Sequence, residues 1–169
     1  DLISYENGVV SVDYGDDRWN DLVSALSVSE MAALIGQGNY KTNAVESIDL
    51  PRTTMPDGPA GFTAFMGDPS VYGTCFYASE CLIGATYNKA LARDMGIMIG
   101  VESIFGNVAG DGRPYSGWYA PAINIHRSQF GGRNWEYYSE DPFHSGIMAA
   151  NVISGAQSKG VACFVKHFA

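Results

Sequence analysis

Residues 161–169, VACFVKHFA, join an apolar run to a pair of polar, ionisable side chains. The apolar run is typical of a buried β-strand, and Lys166 and His167 stand near its C-terminal end. Such side chains are costly to bury without partners, so a pair at this position needs an explanation. In parallel α/β barrels the carboxyl ends of the strands form the active site. We therefore expect Lys166 and His167 to face such a site; a strand end that simply reaches solvent is the alternative.

Helix and strand signals earlier in the sequence predict an α/β protein. Ser27 and Glu30 have the spacing of a capping box at the start of a helix. Asn88 is placed to cap a second helix, and Asp141 with Pro142 to begin a third. The predicted strands are residues 9–12, 117–125 and 161–168. This order predicts about three to four β/α units around a parallel sheet.

Apolar residues at helical spacing predict which helix faces are buried. The predicted faces are Val28, Met31, Leu34 and Ile35 in the first helix, Leu91, Met95, Met98, Ile99 and Phe105 in the second, and Phe143, Ile147, Ala150 and Ile153 in the third. Gly36 or Gly38 is expected to end the first helix, and Gly160 the third.

Composition and charge argue against several classes of partner. The chain has 169 residues, 46% hydrophobic and 17% charged, which is typical of a globular protein with one core. The formal net charge of -8 argues against nucleic acids and anionic membrane surfaces. No apolar stretch approaches the ~20 residues that span a bilayer, and no signal peptide is visible, so we expect a soluble protein. Because the chain begins with Asp1, we expect the native N-terminus to be absent, which leaves the compartment open.

The cysteines and histidines do not predict a metal site. The chain has an odd number of cysteines, Cys75, Cys81 and Cys163, and none of them form a C-x-x-C pair. Both facts argue against a disulfide scaffold and a zinc site. Cys163 is expected to be a small buried apolar residue, and a Cys75–Cys81 disulfide in an oxidising compartment stays open. The three histidines share no H-x-x-x-H spacing. Glycine-rich nucleotide motifs and a G-x-S-x-G elbow are missing, so we predict no cofactor.

Asp57 lies in residues 52–61, RTTMPDGPAG, whose proline and glycine content predicts a loop. Held between Pro56 and the turn that follows, its carboxylate is a candidate acceptor for a ligand. Asp before Gly is also common in ordinary turns, so a purely structural role is the alternative.

Residues 131–138, GGRNWEYY, are suited to a polyhydroxylated ligand. The two glycines allow close backbone approach, and Arg133 offers a fork of donors to neighbouring oxygens. Trp135 and the two tyrosines offer flat apolar faces on which the C–H faces of sugar rings can stack. The alternative is an arginine paired with Glu136 or Glu140 in a loop that its aromatic residues pack.

The stretch 124–127, NIHR, also lies at the end of a predicted strand. Its His126 is a candidate for the shell around a ligand. A hydrogen-bonded structural histidine is at least as plausible an interpretation.

Together these residues resemble glycoside hydrolase family 3, the group of β-glucosidases and β-xylosidases. The similarity lies, in order, in residues 55–62 (MPDGPAGF), 82–96 (LIGATYNKALARDMG), 119–143 (YAPAINIHRSQFGGRNWEYYSEDPF) and 165–169 (VKHFA). It covers roughly the last two-thirds of the chain, and the third stretch is the most specific. Residues 1 to about 26 show no match.

The resemblance implies the N-terminal part of a (β/α)8 barrel of the TIM type, incomplete in this chain. Residues 1–26 would be a lead-in or linker from outside the barrel, and residues 27–169 its N-terminal portion. A full barrel takes ~250 residues, so we expect the rest of the barrel and an α/β sandwich to come from other segments of the same enzyme.

The resemblance also implies a retaining β-glycosidase, most simply a β-glucosidase, that releases terminal non-reducing β-D-glycosyl residues. Its partner would be a β-glucoside or related oligosaccharide. The residues implied to bind the sugar are Asp57, Arg133, Lys166 and His167. The supporting residues expected around them are His126, from its strand-end position, and Trp135 and Glu136, from the glycine-rich loop.

Retaining hydrolysis needs a nucleophile and an acid/base, two carboxyl groups typically ~5 Å apart. In this family the nucleophile is an Asp on a later barrel strand, and the acid/base, a Glu, usually comes from the second domain. Both are therefore expected beyond Ala169, and the isolated chain is expected to be inactive. Glu136, Glu140 and Asp141 match structural positions of the family and are not assigned to catalysis.

Two other functions stay open at this point. A sugar-binding module without catalysis would use the same polar residues and need no nucleophile. A structural half-barrel would bind no ligand at all. The choice between glucoside and xyloside also stays open.

Overall fold

The computed structural model describes residues 2–6, 9–64, 73–106 and 112–168. The chain divides into two compact units, Asp1–Arg52 and Thr53–Ala169. The boundary after residue 26 that the sequence suggests between a lead-in and a barrel portion stays a prediction.

The first unit begins with an antiparallel hairpin. β1 (Ile3–Glu6) pairs with β2 (Val9–Val12), which confirms the strand predicted at residues 9–12. A short helix, α1 (Arg18–Ser24), follows without a counterpart in the sequence prediction. The unit ends with β3 (Lys41–Thr42) and a 3-10 helix at Glu46–Ile48.

The second helix of this unit, α2 (Val28–Gly36), begins at the predicted capping box. Ser27 Oγ accepts from the Glu30 N–H at 3.3 Å, and the Glu30 carboxylate accepts from the Ser27 N–H at 2.8 Å. The apolar face predicted for this helix is not a buried one, because Val28 and Ile35 are both largely exposed.

Parallel strand pairing organises the described part of the second unit. β4 (Thr53–Thr54) and the residues after it run beside the chain that contains β5 (Gly117–Trp118), through bridges Thr54–Tyr115 and Asp57–Tyr119. The loop predicted over residues 52–61 is therefore wrong at its start. Proline and glycine are frequent enough here to predict a loop, although the segment begins with an extended stretch a few residues long.

β5 also pairs in parallel with β6 (Ala162–Cys163), and the bridge Ala122–Lys166 continues this pairing. The strands predicted at residues 117–125 and 161–168 and their parallel direction are confirmed, although the regular strands are shorter than predicted. The carboxyl ends of all these segments consequently point the same way.

Helices fill the connections between the parallel strands. α3 (Glu80–Ala85) and α4 (Lys89–Phe105) lie between β4 and β5, and α5 (Pro142–Gln157) lies between β5 and β6. This alternation makes the chain a helix-rich α/β fold. The sequence prediction missed α3, which is only six residues long.

The helix caps follow the sequence. Asn88 Oδ1 accepts from the Leu91 N–H at 3.1 Å at the start of α4, and Asp141 Oδ1 accepts from the Phe143 N–H at 2.8 Å at the start of α5. Helix α5 ends at Gln157, a little before the predicted Gly160. Cap residues predict well because they act on amide groups only two or three residues away.

The buried helix faces differ from the predicted apolar faces. In α4 the prediction holds for Met95 and Ile99 but fails for Leu91, Met98 and Phe105. In α5 it fails for Phe143, which is 75% exposed, and for Ala150. The two helices pack on each other through small residues that carry no strong apolar signal. The buried faces are Ala92, Met95, Gly96, Ile99, Gly100 and Ser103 in α4 and Ser145, Met148, Ala149, Val152, Gly155 and Ala156 in α5.

Trp118 lies at the centre of the core and is completely buried. Its ring packs edge-on against Phe62, and its Nε1–H donates to the Gly58 carbonyl at 2.5 Å. This bond satisfies the only polar atom of the indole and ties β5 to the turn that follows Asp57.

The close approach of α4 and α5 gives a stability test at Gly96. A Cβ there would lie 2.0 Å from the Val152 carbonyl oxygen, whereas a Cβ at Gly146 of α5 would meet nothing within 4 Å. We expect Gly96→Ala to destabilise the protein by about 1–3 kcal/mol through overpacking. The matched control Gly146→Ala should stabilise it by about 0.5–1 kcal/mol through helix propensity. Urea unfolding measures both, and a Gly96→Ala variant as stable as Gly146→Ala would contradict the packing described.

Candidate functional site

An ion pair joins the carboxyl ends of two parallel segments. Lys166 Nζ donates to Asp57 Oδ1 at 2.6 Å, and the two side chains are only 16% and 13% exposed. The carboxylate is oriented from its other side by the Gly58 N–H, which donates to the same Oδ1 at 2.8 Å. Asp57 therefore stabilises the turn, as the structural alternative predicted, and also binds Lys166. Lys166 does not simply extend into solvent.

Arg133 links the glycine-rich loop to His167. Its Nε–H donates to Glu136 Oε1, and its Nη2 lies 2.7 Å from His167 Nε2. Of the two partners that the sequence left open for this arginine, the structure pairs it with Glu136. The carboxylate is buried under the exposed guanidinium, and this hydrogen bond raises the pKa of Arg133. We call Asp57, Lys166, His167, Arg133 and Glu136 the strand-end cluster.

The structure places the two other proposed supporting residues outside these contacts. His126 Nε2 donates to the main-chain carbonyls of Asn134 and Tyr137, at 2.8 and 2.9 Å. This geometry fits the structural interpretation of His126, which shapes the loop after Arg133. Trp135 is half exposed and lies in the short 3-10 helix Asn134–Glu136.

Sequence reasoning missed Asn124, which holds the main chain of His167 on both sides. Asn124 Oδ1 accepts from the His167 N–H at 2.7 Å, and Asn124 Nδ2 donates to the His167 carbonyl at 3.1 Å. Its position at a strand end could have identified Asn124, but the candidate named in residues 124–127 was His126.

Sequence reasoning also missed Glu80, which is 1% exposed at the start of α3. Its Oε1 accepts from the Ala122 N–H at 2.9 Å, and its Oε2 has no hydrogen-bond partner among the described residues. Burial raises the pKa of Glu80 well above its ordinary value, and the nearby Glu136 adds to this, against the Ala122 N–H and the charge of Lys166. The neutral carboxyl is therefore favoured. In the sequence, Glu80 is an ordinary acidic residue for the first turn of a helix. Nothing in the sequence therefore predicted that it would be buried.

An open cavity of about 320 Å³ adjoins the cluster, near the lower end of the ~300–1,000 Å³ typical of ligand pockets. Its polar lining comes from Asn124, Lys166 and His167, and its apolar lining from Ile123, Val165 and Phe168. Asp57 and Arg133 contact the lining residues and do not line the cavity themselves.

Within the described ranges, no three His, Cys, Asp or Glu side chains are grouped so that they could hold a metal ion. The three cysteines, all in those ranges, are free thiols, so the Cys75–Cys81 disulfide left open above is not formed. Cys163 is half-buried beside the core, and burial raises the pKa of its thiol to about 11.

None of the helices in the described residues combines the length and the apolar character that a bilayer crossing requires.

Comparison with known proteins finds relatives of this chain, although no protein-family profile matches it. The chain is 33% identical over 156 residues to β-glucosidase A of Butyrivibrio fibrisolvens, and 34% identical over 154 residues to a β-glucosidase of Rhizobium radiobacter. Each alignment covers 88% of this chain and 18% of the relative.

Solved structures give the same result. β-Glucosidase 3B from Thermotoga neapolitana, in complex with α-D-glucose, superposes with a TM-score of 0.72 at 32% identity, over 89% of this chain and 23% of that one. A GH3 β-glucosidase from Bifidobacterium adolescentis gives a TM-score of 0.73 at 30% identity, over 86% of this chain and 20% of that one. The chain therefore spans about a fifth of the length of these relatives.

The buried carboxyl of Glu80 predicts a pH dependence of stability. The pKa of Glu80 in the folded protein lies above the ordinary value of 4.5. The stability that goes with its neutral form is therefore fully present below pH 4.5 and is lost as the pH rises through the folded pKa. Glu80→Gln keeps an acceptor for the Ala122 N–H and cannot ionise. We expect its thermal midpoint to fall less than that of the parent between about pH 5 and 8. The exposed Glu140→Gln should follow the parent, and identical pH profiles for parent and Glu80→Gln would contradict the burial described.

Proposed function

Because this chain belongs to glycoside hydrolase family 3 and spans about a fifth of the length of its β-glucosidase relatives, we propose that it forms the sugar-binding subsite of a retaining β-glucosidase. The whole protein would release terminal non-reducing β-D-glucosyl residues. Asp57, Arg133, Lys166 and His167 would bind the hydroxyls of the terminal sugar. The nucleophile and the acid/base would come from other segments of the same protein.

The contact between Lys166 and Asp57, together with that between Arg133 and His167, carries this proposal. These side chains come from three distant parts of the chain and converge at the carboxyl ends of parallel segments. Ligand sites in α/β barrels lie at this end of the strands.

The chemistry of the cluster suits a polyol. A sugar hydroxyl can accept from Lys166 Nζ and donate to the Asp57 carboxylate at the same time, so it can bridge a pair that already lies 2.6 Å apart. Hydrogen bonds to charged groups are roughly twice as strong as neutral ones. The ligand in the Thermotoga neapolitana structure, glucose, is of this class.

The proposal places this chain in the N-terminal part of a TIM-type barrel of about three to four β/α units. Residues 27–169 would belong to the barrel and residues 1–26 to a lead-in. The parallel pairing of β5 with β6 and the helices in the connections support this placement. The remaining strands and an α/β sandwich would come from the rest of the enzyme.

The proposal assigns no carboxyl group of this chain to catalysis. Asp57 and Glu136 are each paired with a cation, Lys166 and Arg133. Glu80 has the raised pKa of a general acid but is 1% exposed, so no substrate reaches it. A sugar-binding module without hydrolysis is the alternative function that shares this geometry.

Kinetics on the full-length protein that carries this chain test the proposal. Lys166→Met and Arg133→Gln should each lower kcat/KM for p-nitrophenyl β-D-glucopyranoside by about 10–100-fold, since a hydrogen bond to a charged group contributes about 1.5–3 kcal/mol. Lys89→Met, which removes an exposed lysine from α4, is the matched control and should leave kcat/KM unchanged.

Two results would contradict this assignment. If the Lys166 and Arg133 variants are as active as the parent, the cluster does not bind the sugar. Glucose binding by a parent protein that never hydrolyses a β-glucoside would favour the binding module. Lys166→Met leaves Asp57 without its cation, and Arg133→Gln leaves the buried Glu136 without its cation. The thermal midpoint of each variant is therefore measured alongside its kinetics.

A further inference from the structure

The Asn124 side chain touches His167 at three atoms. Besides the two main-chain hydrogen bonds, Asn124 Oδ1 lies 3.2 Å from His167 Nδ1. The main-chain bonds fix which way the amide points, because a reversed amide would set its NH2 against the His167 N–H and its oxygen against the His167 carbonyl. The atom that faces the ring is therefore an acceptor.

The partners of the two ring nitrogens then determine where the proton of His167 lies. Nδ1 faces the Asn124 oxygen, which only accepts, so Nδ1 carries the hydrogen. Nε2 faces Arg133 Nη2 at 2.7 Å, and a guanidinium only donates, so Nε2 carries the lone pair. Both contacts are satisfied together only by a neutral ring protonated at Nδ1.

The surroundings of the ring favour its neutral form. Burial lowers the pKa of His167 below its ordinary value, and the cations Arg133 and Lys166 lower it further. Glu136 and Asp57 act in the opposite direction with smaller effect. The Tyr137 ring packs edge-on against the imidazole, with the ring centres 6.0 Å apart.

We propose that Asn124 is a positioning residue of the sugar subsite, which holds the His167 main chain and fixes the ring as the Nδ1–H tautomer, so that Nε2 accepts a hydrogen bond. This inference rests on the proposed function. In the sugar-free protein Nε2 accepts from Arg133; with sugar bound, a hydroxyl donates to it instead. The cluster then offers two acceptors, Asp57 and His167, each beside a cationic donor.

Asn124→Asp is the sharpest variant, because it keeps an oxygen at Oδ1 and adds a negative charge beside Nδ1. It also removes the Nδ2 donor to the His167 carbonyl, which weakens binding at every pH, so the proposal is tested by the pH-dependent part of the change. That charge stabilises the imidazolium, which cannot accept at Nε2. We expect the pKa of His167 to rise, and KM for p-nitrophenyl β-D-glucopyranoside to rise about tenfold on the acidic side of the pH profile, with recovery at higher pH. Asn151→Asp makes the same change on α5, where the amide donates to the Ile147 carbonyl, and should leave the profile unchanged.

Nitrogen-15 NMR of the histidine-labelled parent, with His167 assigned by its loss in His167→Gln, reads the tautomer directly. A signal protonated at Nδ1 and bare at Nε2 supports the proposal, and a proton on Nε2 overturns it. An Asn124→Asp profile identical to the parent also overturns it. The proposed function fails separately, through full activity of Lys166→Met and Arg133→Gln.

Discussion

The pair formed by Lys166 and Asp57 sets the geometry on which the site depends. The two residues are 109 positions apart in sequence, yet their charged atoms lie 2.6 Å apart and largely buried. Either charge alone would be costly to bury. Asp57 is fixed by the Gly58 turn, which Trp118 ties to the core. Lys166 is fixed by the main-chain bridge to Ala122. The parallel sheet thus brings the two charges together.

The charged groups of the cluster also hold one another in place. Lys166 donates to Asp57, and Arg133 donates to both Glu136 and His167. A ligand that approaches these atoms can bridge or replace these hydrogen bonds. A polyol can do so at low cost, because each hydroxyl both donates and accepts and can take the place of either partner. An apolar ligand would leave the charges unsatisfied.

Much of this organisation could be predicted from the sequence, and the failures have a physical pattern. Helix starts at Ser27, Asn88 and Asp141 were predictable because a cap acts within three residues. The buried faces of the helices were not, because α4 and α5 meet through small residues such as Gly96, Gly100 and Ala156, which give no strong apolar period. The strand segment that ends at Asp57 was hidden by the prolines and glycines around it. Of the site, the residues with unusual chemistry at strand ends were found. Asn124 was missed, since its partner lies 43 positions away.

A crystal structure of the full-length protein with glucose bound tests the central claim most directly. We predict glucose hydroxyls within hydrogen-bond distance of Asp57, Lys166 and His167 Nε2, with Arg133 turned from His167 to a sugar oxygen. Glucose bound elsewhere, with the contacts of Lys166 to Asp57 and of Arg133 to His167 unchanged, would contradict it.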